Sequence, residues 1–149
     1  MKQLSRSLAL AIGLSLAACE GGTGGSVPGI GNTDDSRPYD GIGEAEVLHF
    51  TGTEPFWGGE VVEGTLRYST PENIDGVHIP VQRFAGRNGL SFSGTLDGAN
   101  FIMAVTPGEC SDNMSDRTYP FTVTLEIGSD QRYGCAWTDT QRFTGSEHP

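Results

Sequence analysis

The chain has 149 residues, of which 9 are Lys or Arg and 19 are Asp or Glu, so its formal net charge is −10. This length suits one ordinary domain, and so few basic residues argue against a nucleic-acid-binding protein, which needs a clustered basic face. The 22 glycines and the 19% of charged residues disfavour a helical bundle and favour strands joined by tight turns.

Residues 1–18 have the organisation of a secretory signal peptide. Two positive charges, Lys2 and Arg6, precede an apolar stretch over 8–16, and small residues follow it. The apolar stretch is well below the roughly 20 residues that a transmembrane helix needs. A cleaved signal is therefore favoured over an uncleaved membrane anchor.

The end of this segment, Leu16-Ala17-Ala18-Cys19, resembles the lipobox of bacterial lipoproteins. In that class the cysteine carries fatty-acyl chains such as palmitate, and cleavage occurs just before it. The resemblance implies that Cys19 is lipidated and attaches the mature chain to a membrane. Glu20 follows the cysteine in place of the Asp that resembles an inner-membrane retention signal. This favours the outer membrane slightly, with the domain facing the periplasm.

Residues 19–43 are predicted to form the lipidated cysteine and a flexible tether, because the segment is rich in Gly and poor in apolar side chains. The mature chain from Cys19 has seven arginines, no lysine and nineteen acidic residues, a side-chain balance of −12. Such a charge keeps a protein soluble, and it also steers the protein toward cationic partners. We therefore expect that a protein partner, if there is one, is a basic envelope protein.

Residues 44–149 show the patterns of a β domain. Apolar and polar residues alternate in rows typical of half-buried strands, at 77–81, 90–96, 101–105 and 119–127. Less regular strand candidates lie at 46–50, 56–62, 65–69 and 131–138. Asp97-Gly98 is a hairpin signal, and Pro80 suits an edge strand. About eight short strands without a helical stripe predict an all-β fold, a small antiparallel barrel or curled sheet.

Two cysteines remain after Cys19 is assigned to the lipid, Cys110 and Cys135. In an exported chain these two can pair in one way, and a disulfide would stabilise a small core. Metal ligation would need more soft ligands, and the chain has three histidines. A redox pair would favour a C-x-x-C arrangement, which the spacing does not give. We predict one structural disulfide.

Three motifs carry a family resemblance: Gly52-Thr53-Glu54-Pro55-Phe56-Trp57, then Cys110-Ser111-Asp112-Asn113-Met114-Ser115-Asp116-Arg117-Thr118-Tyr119-Pro120, then Gly134-Cys135-Ala136-Trp137. Together they resemble an uncharacterised family of bacterial envelope lipoproteins with G-x-E-P-x-W, C-x-D-x-M-S-x-x-x-x-P and G-C motifs. That family is loosely similar to META-type and lysozyme-inhibitor-type lipoprotein domains. The resemblance implies a compact β fold and transfers no established activity. Asn113 stands where close relatives often carry Gly, which suits a left-handed turn.

The same motifs supply the candidate binding residues. One hypothesis places them in a binding patch on ordered loops of a rigid scaffold, formed by Glu54, Trp57, Asp112, Asp116 and Arg117. The alternative is structural: the loop acids and serines cap a turn pinned by the disulfide, and the arginine pairs with an acid. Phe56 and Trp57 should point to opposite faces of a strand, with one of them in the core.

Catalytic motifs are absent from the sequence. It holds no G-x-S-x-G, H-E-x-x-H or phosphate-binding loop. The segment around Asp112 and Asp116 lacks the regular spacing of oxygen ligands that a calcium-binding loop has. His49 and His78 lie in strand-like runs, where surface histidines are common. We therefore predict no catalytic residue, no metal and no cofactor.

These observations favour a lipid-anchored envelope protein whose β domain has a non-catalytic binding or structural role. The acidic mature chain makes an inhibitor of a cationic enzyme such as lysozyme an alternative. A hydrolase that uses paired carboxylates is a second alternative, because the separation of acids in space is invisible in a sequence.

Overall fold

The structure, a computed structural model, describes residues 37–146. Cys19 and the proposed signal peptide lie outside this range. The described chain forms nine strands: β1 Leu48–Thr53, β2 Phe56–Val62, β3 Thr65–Thr70, β4 Asn73–Pro80, β5 Gln82–Ala85, β6 Leu90–Leu96, β7 Ala99–Ser111, β8 Thr118–Ile127 and β9 Asp130–Thr138. The described residues include no helix with the length and apolar character to cross a membrane.

The nine strands form one antiparallel sheet in the order β4-β3-β2-β1-β9-β8-β7-β6-β5. The sheet curls into a nearly closed barrel, and the seam lies where β4 approaches β6. At the seam, a Cβ added to Gly94 would lie 2.7 Å from the carbonyl oxygen of Pro80, so only a glycine allows this close approach. The predicted all-β fold is thereby confirmed.

Alternating side chains fill the barrel interior, as the period-two rows predicted. The buried set comprises mainly aromatic and branched side chains from every part of the sheet except β5, among them Leu48, Phe50, Trp57, Leu66, Tyr68, Ile79, Phe92, Phe101, Met103, Phe121, Val123 and Leu125. The Asp97-Gly98 hairpin is also confirmed, since both residues have the positive φ of a two-residue turn, 50° and 82°. Large apolar side chains therefore stabilise the barrel from within.

The edge of the sheet departs from the prediction. Ile79 is buried, but Val77 is 39% exposed although it belongs to the same alternating row, because β4 is an edge strand. After Pro80 the chain turns at Val81, whose N–H donates to the Gly64 carbonyl at 2.9 Å. A short strand, β5, follows, and it raises the count from the expected eight to nine.

The domain begins earlier than the expected boundary at Glu44. Ile42 is 2% exposed and belongs to the core, and Tyr39 packs against that core. The segment is held by two hydrogen bonds, from Tyr39 N to Gly86 O at 2.7 Å and from Arg83 Nη2 to Ile42 O at 2.8 Å. Residues 37–43, expected to be tether, are thus attached to the folded domain through Tyr39 and Ile42.

Candidate functional site

The hairpin of β7 and β8 folds over the outer face of the barrel. Its register shifts between Pro107 and Cys110, and such a bulge bends a strand. Beyond the bulge, a disulfide joins Cys110 to Cys135 of β9 with a Cα–Cα distance of 5.6 Å, although β8 lies between the two strands in the sheet order. The disulfide prediction is confirmed, and the bond pins the end of the hairpin to β9.

Asp112 organises the loop at the end of this hairpin. Its carboxylate accepts hydrogen bonds from Met114 N, Ser115 N and Ser115 Oγ, and the Tyr119 hydroxyl also donates to it, at 2.8 to 3.1 Å. Burial raises the pKa of Asp112, but these hydrogen bonds together outweigh it and lower the pKa to about 2. Asn113 has a φ of 58°, the left-handed turn expected there. Asp112 therefore has the turn-capping role of the structural hypothesis.

Other residues of the predicted patch lie on the far side of this loop. Arg117 packs over the ring of Phe143, with its guanidinium carbon 4.3 Å from the ring centre. Phe143 also contacts Tyr119 and Trp137, which makes an aromatic cluster outside the barrel. Asp116 is exposed. Asp116 and Arg117 thus flank the C-terminal segment.

Trp57 packs in the core and offers little surface to a patch. It is 3% exposed, and its ring centre is 5.8 Å from Phe50 and 6.4 Å from Tyr68. The neighbouring Phe56 is 51% exposed. The prediction that this pair faces opposite sides of a strand is confirmed, and Phe56 is the member that reaches the surface.

Two adjoining depressions lie beside the loop of residues 111–116. One, of about 360 Å³, lies between the folded hairpin and the outer face of β1 and β9. The other, of about 410 Å³, is lined by Glu54, Phe56, Asp112, Met114 and Tyr133, among others. Thr53 Oγ1 donates to Asp112 O at 3.3 Å and ties the loop to β1. The structure thus brings together Glu54 and Asp112 of the predicted patch.

Large apolar side chains are exposed around these depressions. Met114 is 60% exposed and Tyr133 68%, and both share a depression with Phe56. Phe56 also lines a third depression, of about 300 Å³, together with Ile74, which is 77% exposed. We call the four residues Phe56, Ile74, Met114 and Tyr133 the apolar end of the barrel. The sequence hypothesis missed Tyr133, which period two along 131–138 places on the face opposite Ala136.

Arg132 lines the same depression as Phe56 and Tyr133 of the apolar end. Arg132 Nη1 donates to the Tyr68 hydroxyl at 2.7 Å, and Arg132 pairs with Asp130 at 2.6 Å. Burial raises the pKa of Tyr68, the charge of Arg132 opposes this rise, and the nearby carboxylates of Asp130 and Glu72 add to it. Four charged or polar groups therefore meet at the margin of the apolar end.

His49 lies on the outer face of β1 and is stacked on Trp137 with ring centres 5.3 Å apart. Its Nδ1 is 3.7 Å from Glu60 and its Nε2 is 3.4 Å from Asp139. A carboxylate thus lies near each ring nitrogen of His49. Within residues 37–146, no group of three or more His, Cys, Asp or Glu side chains is arranged to hold a metal ion.

In comparisons with known proteins, the chain matches no family model, no curated protein and no solved structure. The resemblance to envelope lipoproteins stays a prediction that rests on the three motifs.

Proposed function

We propose that the mature chain is a lipid-anchored protein of the bacterial cell envelope whose β domain binds another macromolecule and catalyses no reaction. The observation that supports binding is the apolar end, where four large apolar side chains stand exposed around adjoining depressions. Apolar side chains grouped in this way, with a polar rim, are typical of interaction surfaces, whereas single ones are ordinary. The anchor rests on the lipobox resemblance at Cys19.

Site-specific photo-cross-linking in intact cells tests the binding role. A photoreactive phenylalanine analogue replaces Tyr133 in one variant and Phe84 in a control, since both side chains are 68% exposed and Phe84 lies in β5, outside the apolar end. We expect a defined adduct from position 133 and none from position 84. Equal yields at the two positions, or no adduct at position 133, contradict the binding role.

Inhibition of a cationic enzyme such as lysozyme is the second candidate, and the charge of the described domain favours it. Residues 37–146 contain 15 acidic residues, seven arginines and no lysine. The test adds the purified full chain to lysozyme acting on cell walls. Dose-dependent loss of lysis supports inhibition, and an unchanged rate in the presence of excess chain contradicts it. The hydrolase alternative stays a prediction, which an assay for sugar release from cell-wall glycan tests.

A further inference from the structure

The apolar end and the entry of the chain lie at opposite ends of β1. The chain enters through Ile42, which lines a small cavity together with Leu48 and Val61. Thr53 and Phe56, at the other ends of β1 and β2, line a depression of the apolar end. A six-residue strand spans about 17 Å. The apolar end is therefore presented away from the point where the predicted tether joins the domain.

Acidic side chains surround the apolar end. Glu54 is exposed and lines the depression that Phe56 shares with Tyr133. Glu72 and Asp130 lie at its margin, close to the Tyr68 hydroxyl. Arg132 lines the same depression, and it pairs with Asp130. The rim therefore has a negative balance around an apolar centre.

We infer that the apolar end binds a basic protein segment that carries apolar side chains, an inference that rests on the proposed binding function. The partner's apolar side chains fill the depressions beside Phe56 and Tyr133, and its Lys or Arg side chains face Glu54 and Glu72. Complementary charge speeds the encounter, while burial of large aromatic side chains supplies most of the affinity.

The acidic rim disfavours two other occupants. An anionic membrane surface attracts basic segments and repels a rim of carboxylates. A second copy of this chain, docked through the same surface about a two-fold axis, would bring the carboxylates of Glu54 and Glu72 near those of its partner. Vesicle binding and sedimentation distinguish these two occupants from a protein segment.

Fluorescence anisotropy of labelled synthetic peptides tests the inference. The full lipidated chain is held in nanodiscs of zwitterionic lipid, and empty nanodiscs supply the background. Three short peptides alternate arginine with leucine, arginine with serine, or glutamate with leucine. We expect the arginine–leucine peptide to bind at least about tenfold more tightly than the other two and to lose affinity as salt rises.

Substitutions locate the binding surface. Phe56→Ser and Tyr133→Ser should each weaken binding of the arginine–leucine peptide by about tenfold, and Glu54→Gln should slow its association. Phe84→Ser is the matched control, because Phe84 is as exposed as Tyr133 but lies outside the apolar end, and it should leave binding unchanged. Near-UV circular dichroism checks that every variant keeps its fold.

Equal affinities for the arginine–leucine and glutamate–leucine peptides overturn the inference. An affinity for the arginine–leucine peptide that neither Phe56→Ser nor Tyr133→Ser changes also overturns it. A fluorophore at position 133 that becomes protected by anionic vesicles, or a dimer that Tyr133→Ser dissociates in sedimentation, also overturns it in favour of a membrane or a second copy. A cross-link from position 133 to an acidic protein overturns this inference and keeps the proposed function. Absence of any cross-link in cells contradicts the proposed function, whatever the peptides do.

Discussion

The hydroxyl of Tyr119 donates a hydrogen bond to Oδ2 of Asp112 at 3.1 Å. This bond connects the loop of residues 111–116 to the aromatic cluster beneath it, because the Tyr119 ring lies 5.4 Å from Trp137 and 5.3 Å from Phe143. The same carboxylate also accepts hydrogen bonds from the backbone N–H groups of Met114 and Ser115. The conformation of the loop therefore depends on Asp112, which is engaged within the domain and not available as a simple docking charge.

Asp112→Asn should lower the free energy of unfolding at neutral pH by about 1–2 kcal/mol. The pKa of Asp112 in the folded protein is lowered from 3.8 to about 2, so the folded state binds this proton less readily than the unfolded state. The stabilisation is present above the ordinary pKa of 3.8 and is lost as pH falls toward 2. Denaturant titrations of parent and variant across this range measure it.

Asp116→Asn is the control for this prediction, because Asp116 is exposed at the other end of the same loop. The control should stay within about 0.5 kcal/mol of the parent. If the difference in unfolding free energy between the parent and the Asp112→Asn variant keeps its neutral-pH size at the acid end, the stabilisation does not come from the ionised carboxylate.

Replacing Cys110 and Cys135 by serine should lower the free energy of unfolding by about 2–5 kcal/mol. The bond closes a loop with a sequence separation of 25 residues and pins the folded hairpin to β9. Urea denaturation of parent and double variant measures the loss. Thiol labelling of the unreduced, denatured parent should find neither cysteine reactive, and two reactive thiols at these positions contradict the pairing.

Strand patterns in the sequence predicted most of the barrel. The rows at 90–96, 101–105 and 119–127 became β6, β7 and β8 because each buries alternate side chains in one interior. Tyr119 is the exception, since it packs in the aromatic cluster outside the barrel. The row at 77–81 correctly predicted a strand, but its prediction that Val77 is buried was wrong, because an edge strand leaves this side chain exposed. β5 has four residues, too few for an alternating pattern to stand out.

The candidate site was less accessible to sequence reasoning. The motifs correctly marked Asp112 as a turn former, but they also marked Trp57, which packs in the core. Met114 comes close to Phe56 only because the hairpin folds back over the barrel and the disulfide holds it there. Tyr133 comes close to Phe56 because β1 pairs with both β9 and β2. Such proximity between distant segments leaves no local pattern in a sequence.

The predicted lipidation at Cys19, which lies outside the described residues, can be tested by substitution. Cys19→Ala removes the thiol that the lipobox resemblance marks for acylation, so the variant should incorporate no labelled fatty acid and remain uncut at this site. Metabolic labelling followed by immunoprecipitation measures both effects. Cys110→Ser serves as the control and should be acylated like the parent. Undiminished label in Cys19→Ala contradicts the anchor.

Two isoleucines test whether residues 37–43 belong to the folded domain. Ile42 is 2% exposed and packs in the core, whereas Ile74 is 77% exposed. Ile42→Ala should therefore lower the free energy of unfolding by about 2–4 kcal/mol through lost burial and a cavity, and Ile74→Ala should change it by less than about 0.5 kcal/mol. The substitution at Ile42 keeps its backbone carbonyl, which accepts the hydrogen bond from Arg83, so the difference reports the side chain. Urea denaturation of the two variants beside the parent measures it, and equal losses at the two positions would return the start of the domain to Glu44.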